Sequence, residues 1–311
     1  MNLNYRQIRK QFSDIGLAYF MFSAAAMAAQ FLAVLLFRLM GWDNLLGTTG
    51  SVLLSMGGMY LVGFPVYLFF IRRVPVQPEP EGGREAFPLS RAVVCLVVSI
   101  GVMQAGNLFS RVLLALVSAL LDRELFNPVD DILGQENLVV MVLFTAVVAP
   151  VFEEIMFRKL LIDRIRNYGD RAVILVSGIT FGLFHGNFYQ FFYAWGLGMI
   201  LAYVYLRTGK VKHTILLHMC INIQGSVIST LLLQLSRYTW VADVLVMVYS
   251  LLIFSVAVAG AVLAVCLWKR RKFLRGPEEL PAARILPTAF GNVGMALFLG
   301  ACLWQFWINM K

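Results

Sequence analysis

The 311-residue chain is 60% hydrophobic and only 14% charged, with a mean hydropathy of +0.77. That balance excludes an ordinary soluble domain and a disordered chain. The net charge of +9 would suit a nucleic-acid binder, but the basic residues sit in alternate loops, a topology signal that excludes nucleic acid as the partner.

The first apolar segment follows Arg6, Arg9 and Lys10 and carries no charge from Ile15 to Phe37. It is too long for the core of a cleaved signal peptide, so a retained signal anchor is expected. Further segments are expected near 48–71, 92–118, 138–160, 172–186, 188–206, 214–235, 240–268 and 287–309. The fold class is therefore all-α, a polytopic transmembrane bundle of about eight to nine membrane segments.

Pro75–Pro88 is Pro/Gly-rich and polar, and reads as a flexible cytosolic loop. Residues 1–90 then form a two-segment N-terminal piece with its linker. Residues 91–137 hold the third segment and an external acidic loop, Asp122 to Glu136. Residues 138–235 form the chemically interesting core, and 236–311 the C-terminal segments. Ala172 to Leu206 spans 35 residues, short of the roughly 40 that two crossings and a turn require. A short or re-entrant helical hairpin near 172–206, turning at Gly186-Asn187, is expected there.

Five clusters hold 21 of the 26 Lys and Arg residues. Their alternation puts the N-terminus in the cytoplasm and the C-terminus outside, with membrane lipid as a partner. Compact basic loops without a large soluble domain point to a bacterial plasma membrane. The four cysteines, Cys95, Cys220, Cys266 and Cys302, lie in apolar segments without paired spacing and read as buried free thiols.

Charge inside an apolar segment is costly and marks function by default. Glu153 and Glu154 follow an uncharged run from Leu138 to Phe152. The helix carrying them is expected to continue to Tyr168, where Asp163, Arg164, Arg166 and Asn167 seek water and Gly169 caps the end. Glu153, His185 and His218 then fall at one depth, about 8 Å inside the membrane boundary. Glu154/Arg158, Phe181/His185 and His218/Asn222 are i,i+4 pairs, each sharing a helix face. Arg158 neutralises Glu154 in a structural ion pair, which leaves Glu153 free for chemistry. Asn222 offers an amide beside His218. By contrast, His213 reads as a boundary residue, Asp243 as solvated, and Phe188–Tyr193 as an aromatic belt or packing surface.

Glu153-Glu154-Ile155-Met156-Phe157-Arg158 matches E-E-x-x-x-R, Phe181 to His185 matches F-x-x-x-H, and His218 to Asn222 matches H-x-x-x-N. In these motifs the chain resembles the CPBP intramembrane proteases, the CAAX-protease and bacteriocin-processing group also called Abi proteins. The resemblance covers about Val139 to Leu235. It implies that Glu153 activates water, that His185 positions the water or binds a metal, and that His218 and Asn222 stabilise the oxyanion or complete a metal site. Glu154 and Arg158 would hold the geometry. The implied cofactor is a divalent metal such as zinc at Glu153, His185 and His218, or none, since H-E-x-x-H is absent.

The expected function is endopeptidase cleavage of a small membrane-associated peptide or lipidated protein, such as a leader peptide, a lipidated tail or a bacteriocin-like precursor. A proton-coupled transporter is the alternative, because buried Glu and His also serve proton relays. A non-catalytic bacteriocin immunity or scaffold protein is a third reading.

Overall fold

The computed structural model describes residues 3–79, 84–125, 137–269, 271 and 273–310. Its elements are α1 (Tyr5–Leu39), α2 (Thr49–Ile71), α3 (Leu89–Leu121), α4 (Leu138–Tyr168), α5 (Asp170–Phe184), α6 (Phe188–Thr208), α7 (Val211–Ser236), α8 (Trp240–Trp268), α9 (Ala282–Phe290) and α10 (Val293–Ile308). Among the described residues there is no strand. The expected all-α bundle is therefore the fold.

Local chemistry explains the boundaries. Asn4, Asn137, Asn187, Thr239 and Asn292 each cap a following helix with a side-chain oxygen, satisfying an N–H that the first turn leaves unpaired. Among the described residues six helices are long and apolar enough to cross a membrane, and α9 with α10, bent by 78°, makes a seventh at most. The expected eight to nine is reached only by counting the α5–α6 hairpin. There α5 has just 15 residues, about 22 Å of helix.

The outer faces are apolar. On α8, Leu251, Phe254, Val258, Val262 and Val265 are all exposed. Polar groups lie inside instead, where lipid cannot reach them. Helix α6 packs between α5 and α3, α8 lies on α3, and α1 lies against α2 and α10. Gly178 and Gly198 let α5 and α6 meet closely, since a Cβ on Gly198 would lie 3.0 Å from Gly178 Cα.

Three expectations need correction. The Pro75–Pro88 link is pinned where it is described. Gln77 N donates to Asp163 O at 2.8 Å, Asn167 Nδ2 donates to Gln77 Oε1 at 2.7 Å, and Glu85 N donates to Arg207 O at 2.8 Å. Residues 80–83 and most of the acidic loop, 126–136, lie outside the described residues.

The polar end of α4 does not face water. Asp163 and Arg164 are both 4% exposed. Arg164 donates to the carbonyls of Ile71, Val74 and Leu160, and Asp163 accepts from Tyr205 and pairs with Lys159 and Arg166. The free thiols also differ from one another. Cys302 is buried and Cys95 half-buried, while Cys220 and Cys266 are exposed on the apolar exterior.

Candidate active site

Among the described residues, four stretches of wide, i→i+5 helical turns occur: Gly58–Gly63 in α2, Val142–Val148 and Ile155–Leu160 in α4, and Ile223–Ile228 in α7. Such turns concentrate at functional sites because they disturb the helix ladder and re-aim side chains. Here two of them bracket Ala149–Glu154, the turn that carries both carboxylates.

Their carbonyls find partners on other elements. Tyr19 and Tyr67 each donate a hydroxyl to Met156 O at 3.3 Å, and Ser177 donates to Phe157 O at 3.0 Å. Upstream, Asn222 Nδ2 donates to Thr145 O at 2.8 Å. Pro150, five residues past Thr145, carries no N–H to offer that carbonyl. The Asn222 amide thus braces α7 against the broken ladder of α4 as well as facing the cavity.

Glu154 is fully buried beside Arg158. Oε2 forms an ion pair with Nε at 2.9 Å, and Oε1 accepts from Nη2 at 3.0 Å. Nη1 of Arg158 donates to Ser177 Oγ at 3.2 Å, and its guanidinium stacks 4.6 Å from the Phe181 ring centre.

His218 reaches this pair with Nδ1, 3.1 Å from Glu154 Oε1. An ionised carboxylate can only accept, so this contact assigns the imidazole proton to Nδ1. Nε2 lies on the other side of the ring, 3.8 Å from Oε2 of Glu153. Glu153 is thus set apart from Arg158, at the edge of a cavity of about 540 Å³.

His185 follows the last turn of α5, with Nδ1 2.8 Å from Phe181 O. Gly186 turns the chain at φ +65°, a left-handed conformation natural to glycine. Asn187 then locks the turn. Its Nδ2 donates to His185 O and to Gln190 Oε1, both at 2.8 Å, while Asn309, just past α10, donates to Gly186 O at 3.0 Å. The expected turn at Gly186-Asn187 is therefore where the hairpin closes.

The cavity gathers Glu153, His185, His218 and Asn222, while Glu154 and Arg158 lie behind them in the protein. It also recruits residues that sequence reasoning missed: Tyr60, Gln190, Tyr193, Gln305 and Asn309. Gln190 donates to the Tyr193 hydroxyl at 2.7 Å. The one available signal was a glutamine within the Phe188–Tyr193 aromatic run. The rest of that run packs as expected, with Phe188 and Phe191 against Phe306 and Phe192 against Phe109. His213 stacks on Phe87, and Asp243 is exposed.

The donor chemistry of Glu153 and His218 Nε2 suits a divalent ion, with Glu154 orienting the imidazole from behind. However, among the described residues no three His, Cys, Asp or Glu side chains converge to hold a metal. As placed, Glu153, His185 and His218 do not complete a ligand set.

The arrangement offers a carboxylate, imidazole rings and amide groups around one chamber, with their orienting partners buried behind them. Residues 135–224 match the family model described as Rce1-like, type II CAAX prenyl endopeptidase. The match takes in all three motifs. No curated protein and no solved structure matches the chain.

Proposed function

We propose, on the premise that residues 135–224 are a CPBP-family segment, that this multi-pass membrane protein is an endopeptidase acting on a membrane-associated peptide. Glu153 is the general base. It takes a proton from water as the oxygen attacks the scissile carbonyl carbon, and it later returns that proton to the leaving amine. Asn222 offers a hydrogen bond from its amide to the oxyanion of the tetrahedral intermediate, and His185, whose Nδ1–H is held by Phe181 O, helps to position the water. His218, held by Glu154 and Arg158, presents Nε2 toward Glu153 and helps to orient the water.

The observation that carries this reading is the asymmetry of the two carboxylates. Glu154 is committed to Arg158 and His218, whereas Glu153 faces the cavity. A wall with Gln190, Tyr193, Gln305 and Asn309 suits the amide groups of a peptide backbone. A lipidated tail and a leader peptide are both substrates of this chemistry.

The N-terminus is proposed to be cytoplasmic and the C-terminus external, in a plasma membrane. Contacts of Gln77 with Asp163, Glu85 with Arg207 and Leu274 with Asp170 gather the basic loops at one end of the bundle, which supports this orientation.

The test incubates purified protein in lipid with a library of membrane-anchored peptides, reading cleavage by mass spectrometry. Products that wild type forms and Glu153→Ala does not are the expected result. Equal products from both overturn the assignment. Loss of product with a chelator would mean that Glu153, His185 and His218 draw together around a divalent metal such as zinc, which they do not do as placed here. Proton flux in liposomes that vanishes in Glu153→Gln, without cleavage, would favour the transporter reading.

A further inference from the structure

A second cavity, of about 290 Å³, opens between α3, α6 and the end of α8. Its mouth carries three guanidinium groups, Arg91, Arg207 and Arg271, and one lining carboxylate, Glu85. Arg91 pairs with Glu85 at 2.6 Å, and Arg207 pairs with the buried Asp170 beside the cleft. Arg271 lies instead over aromatic faces, 5.5 Å from Tyr203 and 5.4 Å from Trp268. Arg207 is 9% exposed, and its Nε has no hydrogen-bond partner. The mouth thus holds one positive charge in excess, with the Arg207 Nε buried beside it.

Below the mouth the cleft is apolar, lined by Val94, Val98, Ile200 and Leu267. Val98 lies seven residues beyond Arg91 on α3, about 10 Å deeper along the helix. Arg91 and Arg271 flank the ends of apolar spans, so the mouth sits at a membrane boundary and the floor within the hydrocarbon.

We propose that this cleft binds an anionic phospholipid, its phosphate at Arg271 and Arg207 and an acyl chain along Val94 and Val98. Charge and depth together select the occupant. A free phosphate leaves the apolar floor unused, and a zwitterionic lipid does not offset the excess charge. The site is separate from the Glu153 chamber and does not depend on the peptidase reading.

The experiment uses the full chain in neutral detergent with a phosphatidylglycerol bearing a photoreactive acyl chain, and maps the cross-linked peptides. Cross-links are expected on residues 94–98 and 200–204. They should be competed by unlabelled phosphatidylglycerol, and at least about fivefold less well by phosphatidylcholine or inorganic phosphate, the factor expected for one basic side chain near an anionic lipid. Arg271→Ala should weaken labelling by a similar factor. Val94→Trp, on an exposed face, should displace the label from 94–98 while the protein elutes as wild type. Equal competition by phosphatidylcholine, full competition by phosphate alone, or labelling unchanged in Arg271→Ala would each overturn the proposal.

Discussion

His218 sets Nδ1 3.1 Å from Oε1 of Glu154, a contact between α7 and α4 made across 64 residues of chain. Arg158 holds the same carboxylate from the other side. One fully buried anion therefore fixes both the cation beside it and the tautomer of the imidazole. The division of labour between the adjacent glutamates follows, because Glu154 is fully buried behind the cavity that Glu153 faces.

Replacing Glu154 should damage fold and activity together. Glu154→Ala leaves the Arg158 guanidinium buried without its counter-charge, a loss of about 3–5 kcal/mol for a broken buried pair. The midpoint of thermal unfolding in detergent should fall clearly, and cleavage should fall with it. An unchanged midpoint would mean that the pair is not buried as described.

Glu153 should separate those two effects. It is partly exposed to the cavity and makes no short ion pair with Arg158, so Glu153→Gln should keep the thermal midpoint near wild type. Loss of a general base lowers the rate by about 10²- to 10⁴-fold. Single-turnover cleavage of a peptide substrate checks the rate, and a loss below tenfold would assign the base elsewhere.

The contrast shows what the sequence carried. The Glu154–Arg158 pair was legible because i,i+4 spacing on a helix fixes which side chains meet. The turn at Gly186-Asn187 was legible because glycine and asparagine have specific backbone chemistry. The cavity wall of Tyr60, Gln190, Gln305 and Asn309 was not, since it joins α2, α6 and α10 through packing alone. Arg164 misled for a related reason. Its charge suggests water, yet the carbonyls of Ile71, Val74 and Leu160 solvate it inside the protein. Cys220 and Cys266 sit outside because a thiol gains little by leaving a lipid exterior.

Ser177 should matter through Arg158. Its hydroxyl accepts from Nη1 and donates to Phe157 O inside the wide-turn segment. Ser177→Ala removes both bonds and leaves buried groups unsatisfied, at about 1–3 kcal/mol. Ser177→Thr, which keeps the hydroxyl, should recover most of the lost thermal midpoint. Equal midpoints for the two variants would show that packing rather than hydrogen bonding is at work.

Gly186 should control the position of His185. Its φ of +65° is left-handed, which costs a residue with a Cβ about 1–2 kcal/mol. That added Cβ would also press on the Gln305 side chain, which shares the cavity wall. Gly186→Ala should therefore loosen the contact between the hairpin turn and α10, where Asn309 donates to Gly186 O. Amide exchange at residues 183–190 should speed up, and cleavage should slow while the rest of the bundle keeps its protection. Exchange that rises uniformly across α1 to α8 would instead mark a global loss of stability, and the turn would not be a local determinant of the site.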